Sequence, residues 1–101
     1  MLIIYTTFSN KKDAQRIAEK MVRERLAACA SIFPCKSIFF WKGKLQKENE
    51  VVIELKIAGR NYKKLEQRLL ELHPYSLPQI VAVKVEKASE GYARWVEKGE
   101  A

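Results

Sequence analysis

The sequence contains few of the residues on which catalytic and metal centres most often depend. It has one histidine and two cysteines, so histidine-rich routes to catalysis or zinc binding are largely closed. Its cysteine spacing matches neither a Cys-x-x-Cys pair nor a zinc site. We also find no pair of acids, Ser-His-Asp set or Cys-His pair, and we therefore expect a protein that is not an enzyme.

The two cysteines, Cys29 and Cys35, are too far apart on an extended strand to form a disulfide. Six residues span about 20 Å at ~3.3 Å each, beyond the reach of a disulfide or a shared metal ion. The sequence also lacks an apolar run of ~18 residues and a basic, cleavable leader. We expect reduced thiols, a cytoplasmic location and no membrane partner.

Charge of both signs is plentiful, with 19 Lys and Arg against 12 Asp and Glu and a formal net charge of +7. This excess permits binding to a polyanion. The basic residues alternate with acids, however, as in residues 63–68, which is typical of a solvated face. Strand three also lacks the aromatic residues that RNA-binding modules of this strand order use for stacking. We expect no nucleic-acid partner.

The hydrophobic pattern predicts the order β-α-β-β-α-β, followed by a short helix. This is the ferredoxin-like, split-βαβ order of the α+β class, in one domain that covers residues 1–101. Right-handed crossovers place strand one between strands three and four, and strand two at the edge. The predicted elements are a strand at 2–8, a helix from Lys11 to Ala28, a hairpin from Ser31 to Ile57, a helix from Tyr62 to His73, a strand from Gln79 to Glu86 and a helix from about Ser89.

The long hairpin organises the rest of the chain. Its first arm contains Pro34, which cannot donate to a ladder and favours an edge position. We place the reversal near residues 46–49 and treat Gly43 as a bulge, although Gly43 can itself mark the turn. Alternation in the second arm directs one set of residues to the core: Val51, Ile53, Leu55 and Ile57.

Both long helices are expected to cover one face of the sheet. The other face would then expose apolar residues: Ile80, Ala82, Val52, half of strand one and some of Phe39, Phe40 and Trp41. So large an apolar surface implies a partner. We expect a homo-oligomer.

Two segments are candidates for function. His73 ends the second predicted helix, where its imidazole either interacts with free helix carbonyls or serves a functional role. Residues 6–12 run from a strand end into a helix start, where free N–H groups and two lysines can hold an anion. The segment has no glycine, unlike the usual phosphate loops, and simple capping by residues 9–10 is the alternative.

Five blocks are spread over the whole length of the sequence: residues 1–7, Glu24-Arg25-Leu26-Ala27-Ala28-Cys29-Ala30, Trp41-Lys42-Gly43-Lys44, residues 71–78 with His-Pro-Tyr-x-x-Pro, and Tyr92-Ala93-Arg94-Trp95. Together they resemble the CutA divalent-cation-tolerance proteins. The resemblance implies a cytosolic homotrimer of ferredoxin-like subunits, similar to PII signalling proteins, with hairpins that wrap neighbouring subunits and clefts between them. It also implies a role in tolerance to copper and other divalent metals.

The resemblance also implies candidate ligands for copper or another divalent metal. In bacterial members credited with copper binding, the ligands resemble a cysteine on strand one and two adjacent histidines before Pro-Tyr. The matching positions here are Tyr5, Leu72 and His73, so only His73 is carried over. Cys29 lies in the family's Ala-Cys-Ala block and is the second candidate, although its apolar context is equally typical of a buried structural thiol.

An alternative function follows from the likeness to PII proteins. In this interpretation the clefts between subunits bind a small anionic ligand. The residues that we predict for that role are Thr6, Thr7, Lys11 and Lys44.

Overall fold

The computed structural model describes residues 1–98 of the chain. Within this range no helix combines the length and the apolar character that a membrane crossing requires. A short 3-10 turn, Gly59–Asn61, precedes the second helix. The elements are β1 (Leu2–Phe8), α1 (Lys11–Arg23), β2 (Cys29–Trp41), β3 (Lys44–Ile57), α2 (Tyr62–Leu72), β4 (Val81–Lys84) and α3 (Glu90–Lys98).

The four strands form one antiparallel sheet in the order β2-β3-β1-β4. This order confirms the ferredoxin-like α+β prediction, with β1 between β3 and β4. Pro34 lies on the edge strand β2, opposite Val51. Because proline offers no ladder donor, the edge is where it disturbs the sheet least.

The core lies between the two long helices and one face of the sheet. The spacing of the apolar residues along α1 and α2 places them on one side of each helix, and the alternation along β1 and β3 supplies the facing surface. Val22 has the spacing of these apolar residues on α1 but is 39% exposed. The buried residues that form the core are Ile4, Phe8, Ala14, Ile17, Ala18, Met21, Ala27, Ile53, Leu55, Ile57, Leu65 and Leu69.

Helix α1 ends at Arg23, five residues before the predicted end at Ala28. Arg25 adopts a left-handed backbone with φ of 60°, which reverses the chain after the helix. The N–H groups of residues 24–27 then donate to carbonyls of the last helical turn. At the other end the prediction of a cap is confirmed, since Asn10 Oδ1 accepts the Asp13 N–H at 2.8 Å.

The hairpin turns at Lys42 and Gly43, so our preferred reversal near residues 46–49 is wrong. Both residues have positive φ, 51° and 78°, and Trp41 pairs directly with Lys44. A two-residue turn of this kind matches the twist of the flanking strands. Residues 44–50 resemble a solvated loop in the sequence because they are mostly polar. They form a strand whose two faces both reach solvent, so polar residues suit both faces.

Residues 35–50 form a two-stranded ribbon that extends past the sheet. The last pair between β1 and β3 is Phe8 with Val51, and beyond it β2 and β3 pair only with each other. The molecule is accordingly elongated, 45 × 25 × 21 Å. The ribbon exposes five large apolar side chains, of which Phe40 is 74% exposed; the five are Ile38, Phe39, Phe40, Trp41 and Leu45.

The short strand β4 presents the opposite face from the one we predicted. Val81 pairs with Tyr5 and Val83 with Ile3, so the two valines lie on the sheet face away from the helices, called the open face here. Ala82 pairs with Ile4 and lies on the helix side. Each residue of the strand is exposed in the single subunit.

Candidate functional site

The His73 side chain is buried beside β1 and does not cap the end of its own helix. Its backbone N–H donates to the Leu69 carbonyl at 2.8 Å and ends α2. The ring stacks on Phe8, with centroids 4.2 Å apart and planes inclined by 14°. Only 9% of the residue is exposed. The predicted contact of the imidazole with helix carbonyls is therefore replaced by a contact with the core.

Both ring nitrogens of His73 already have hydrogen-bond partners. The Tyr75 N–H donates to Nδ1 at 3.1 Å, and Nε2 lies 3.1 Å from Thr6 Oγ1. Because a backbone N–H can only donate, Nδ1 of the neutral ring must hold the lone pair. The ring proton is then on Nε2 and is donated to Thr6.

Burial lowers the pKa of His73 below its ordinary value of 6.5. A hydrogen bond with the backbone of Thr7 and the charge of Glu50 act in the opposite direction but do not cancel this effect. The imidazole is therefore neutral at neutral pH, in agreement with its hydrogen bonds.

Tyr75 connects this buried histidine to the base of the ribbon. Its hydroxyl donates to Glu50 Oε2 at 2.6 Å, and its ring lies 4.9 Å from that of His73. Burial, together with the bond to Glu50 and the charge of that carboxylate, raises the pKa of Tyr75. The hydroxyl therefore remains protonated as a donor.

A cleft of about 660 Å³ opens between the ribbon and residues 75–79, and we call it the ribbon-base cleft. Aromatic side chains of both segments line it, together with two acids. Because Tyr75 contacts both Glu50 and the His73 ring, this wall of the cleft is joined to the buried histidine. The residues that define it most clearly are Thr7, Phe39, Trp41, Glu48, Glu50 and Tyr75.

Cys29 and His73 lie on opposite faces of the sheet. Cys29 opens β2, pairs with Lys56 and so shares its open face; Lys56 itself bonds to Glu54. His73 lies on the helix side with Phe8. One subunit therefore does not bring the two predicted metal ligands together.

The other positions considered for metal binding also do not form a metal site among the described residues. Tyr5, at the position of the family's strand-one cysteine, donates to Glu54 at 3.1 Å. Cys29 and Cys35 are both free thiols. Within residues 1–98 no group of three or more His, Cys, Asp or Glu side chains is placed to hold a metal ion.

The residues predicted to hold an anion are scattered. Thr7 lines the ribbon-base cleft, whereas Thr6 is fully buried against His73. Lys11 begins α1 behind the Asn10 cap, and Lys44 follows the ribbon turn. The segment at residues 6–12 thus has the capping role that was its alternative interpretation.

Sequence reasoning missed Glu50 and the aromatic wall of the cleft. Glu50 lies in a run of polar residues that looks like a loop. The signals near this site were the His-Pro-Tyr block, the block that begins with Trp41, and Thr7. None of them indicates which distant residue Tyr75 contacts.

The fold and this site together define a class of ferredoxin-like α+β proteins with a projecting hairpin, of the PII-like kind. The profile of the CutA1 divalent ion tolerance protein family matches residues 2–99. The divalent-cation tolerance protein CutA of Pyrococcus horikoshii is 34% identical over 96 residues, which cover 95% of this chain and 94% of the relative. This chain belongs to the CutA family.

Solved structures agree with this assignment. The crystal structure of CutA1 from Pyrococcus horikoshii superimposes with a TM-score of 0.94 at 32% identity, covering 100% of this chain and 99% of that one. The PII-like protein CutA from Nostoc sp. PCC 7120, in its apo form, gives a TM-score of 0.93 at 33% identity, covering 100% and 98%.

Proposed function

We propose that this protein acts in tolerance to divalent cations as a non-enzymatic binding protein, assembled as a homotrimer in the cytoplasm. Membership of the CutA family supports the role, because matched relatives are named divalent-cation tolerance proteins. The structural observation that carries the proposal is the ribbon, whose apolar residues are exposed in one subunit.

The ribbon and the open face together supply the surfaces for such an assembly. A two-stranded ribbon is marginally stable alone, and this one extends past the sheet that would support it. The open face adds exposed Phe33, Val81 and Val83. When the ribbon of one copy covers the open face of the next, two different patches meet, and such a contact forms a closed trimer when the rotation between successive copies is one third of a turn.

Sedimentation equilibrium at micromolar concentration tests the assembly. A trimer has three times the chain mass of 11.7 kDa. A mass of one or two chains would contradict the trimer.

A more specific version of this proposal is that the protein binds copper directly, with His73 and Cys29 as the predicted ligands. Imidazole and thiolate both suit copper. To bind a metal, His73 must release Thr6 or Tyr75 from a ring nitrogen. Cys29 can complete the same site only from another subunit, since one subunit separates it from His73.

Calorimetric titration of the metal-free protein with Cu(II) and Cu(I) tests this form. We compare wild type with His73→Gln and Cys29→Ser, and use Cys35→Ser as the matched control because Cys35 is the other free thiol. Micromolar binding that is lost in His73→Gln or Cys29→Ser but retained in Cys35→Ser supports direct metal handling. Absence of binding in wild type contradicts it.

A second candidate function is binding of a small anionic ligand in the ribbon-base cleft. The specific observation in its favour is a cleft of about 660 Å³ with Phe39, Trp41 and Tyr75 on its walls, a size and character suited to a small molecule. Its own charged residues, Glu48 and Glu50, are acidic. The cation for an anion must therefore come from a neighbouring ribbon tip, where Lys44 lies.

Trp41 gives this second candidate a direct readout. A ligand in the cleft changes Trp41 fluorescence in a Trp95→Phe background, and Lys44→Gln weakens binding. If small anions leave the fluorescence unchanged, the cleft does not have this role.

A further inference from the structure

A second cleft, of about 490 Å³, lies at the opposite end of the sheet from the ribbon-base cleft. It is bounded by the chain that leaves α1, by the 3-10 turn and by the last turn of α3. Four cations line it: Arg23, Arg25, Arg60 and Lys98. We call it the basic cleft.

The positive charge of the basic cleft is not neutralised within residues 1–98. Among the described residues that line it, the one acid is Glu97, which lies 3.0 Å from Arg60 Nη1 and 3.1 Å from the Met1 amino group. Among the described residues, Arg23, Arg25 and Lys98 make no ion pair. Among the described residues, the cleft therefore has three cations that are not paired with an acid.

The backbone of Arg25 provides an independent sign that its side chain matters. Arg25 has φ of 60°, a conformation that glycine adopts without penalty and that other residues rarely adopt. A strained residue at a cleft is a reason to look for function. The chain has arginine, and so a guanidinium, where glycine would suit the turn better.

The negative end of α1 does not oppose an anion here. The carbonyls of Lys20, Met21 and Val22 accept N–H groups from residues 24–27, at 2.9–3.1 Å. The exposed charge at this helix end is therefore that of the arginine side chains.

The floor of the basic cleft is apolar and formed by small buried side chains. Ala27, Ala58 and Val96 are each 5% exposed or less. Small floor residues leave depth in the cleft, so that an organic group can lie on them while charged groups contact the rim.

We propose that the basic cleft binds a small organic anion that carries at least two phosphoryl charges. Guanidinium groups recognise phosphate oxygens through paired, charge-assisted hydrogen bonds. Cations on three separate segments favour a multivalent ligand over a single phosphate. The site is distinct from the ribbon-base cleft and independent of copper binding.

Titration calorimetry of the full chain with inorganic pyrophosphate at low ionic strength tests the charged part of this recognition. We expect pyrophosphate to bind more tightly than orthophosphate. Arg25→Gly and Arg23→Gln should each weaken binding by about tenfold, the effect of losing one charge-assisted contact. Arg16→Gln is the matched control, since Arg16 pairs with Asp13 outside the cleft; it should change binding less than twofold.

Arg25→Gly separates binding from folding. Glycine relieves the left-handed backbone, so this variant should unfold at a higher urea concentration than wild type while it binds pyrophosphate more weakly. The proposal is overturned if wild type does not bind pyrophosphate, if neither cleft variant weakens binding, or if Arg16→Gln weakens it as much.

Discussion

The hydroxyl of Tyr75 donates to Glu50 Oε2 at 2.6 Å and fastens the segment after α2 to the base of the ribbon. The same segment is held at its start by His73, which stacks on Phe8 and bonds to Thr6. A continuous set of contacts thus leads from the core to the ribbon. These contacts also shape the wall of the ribbon-base cleft.

Removal of this hydroxyl should weaken the connection. Tyr75→Phe leaves a half-buried carboxylate without its donor, and we expect a loss of about 1–2 kcal/mol in the free energy of unfolding. Tyr62→Phe is the matched control, because the Tyr62 hydroxyl donates to Glu66 within one helix at 3.0 Å. A local pair of that kind contributes about 0.2–0.5 kcal/mol. Urea denaturation of both variants measures the difference, and equal losses would contradict the bridging role of Tyr75.

Stability should fall on mild acidification because of His73. Its pKa is lowered in the folded protein by burial, so between that pKa and the unfolded value of about 6.5 the unfolded chain binds more protons. The contribution of neutral His73 to the free energy of unfolding is therefore complete above pH 6.5, and it is lost as the pH falls through this window.

Urea denaturation at pH 7.5 and at pH 5.5 checks this effect in wild type and in His73→Gln. His73 is the only histidine, and the carboxylates with lowered pKa, Glu24 and Glu54, act below their ordinary value of 4.5. The variant should lose less stability than wild type between the two pH values. The same loss in both proteins would assign the pH dependence to another group.

Substitution by alanine should change stability in opposite directions at two glycines, Gly43 in the ribbon turn and Gly91 in α3. Gly43 has φ of 78°, and no atom lies within 4 Å of an added Cβ, so Gly43→Ala is opposed by the backbone alone. We expect a loss of about 1 kcal/mol. Gly91 lies in α3, also with open space around it, and Gly91→Ala should stabilise the helix by about 0.5–1 kcal/mol. Thermal unfolding of both variants is the measurement; stabilisation by Gly43→Ala would contradict the observed turn.

The sheet could be predicted largely because its centre is strongly patterned. Alternation along β3 correctly assigned Ile53, Leu55 and Ile57 to the core. In β4 the alternating sets are Val81 with Val83 and Ala82 with Lys84, so alternation favours the two valines for the core, and this choice is wrong. The pairing of Ala82 with Ile4 decides that face, and this contact joins residues far apart in sequence.

The site was less predictable because its contacts are also distant in sequence. His73 was singled out by its position before a proline, yet Thr6 and Phe8, which bury it, are more than 60 residues away. The end of α1 was missed for a local reason. A non-glycine residue in the left-handed conformation, here Arg25, leaves no signal in the sequence.

The exposed ribbon leads to a prediction about assembly. Phe40 is 74% exposed and lies in the unsupported part of the hairpin, opposite Leu45. If the ribbon packs on a neighbouring subunit, Phe40→Lys places a charge in an apolar interface and should shift the protein towards monomer, since an unpaired buried charge is strongly unfavourable. Leu70→Lys is the control, because Leu70 is 57% exposed on the outer side of α2. Sedimentation velocity at micromolar concentration should show a smaller species for Phe40→Lys alone. An unchanged sedimentation coefficient for Phe40→Lys would mean that the ribbon tip lies outside the interface, and the open face would then have to hold the assembly together by itself.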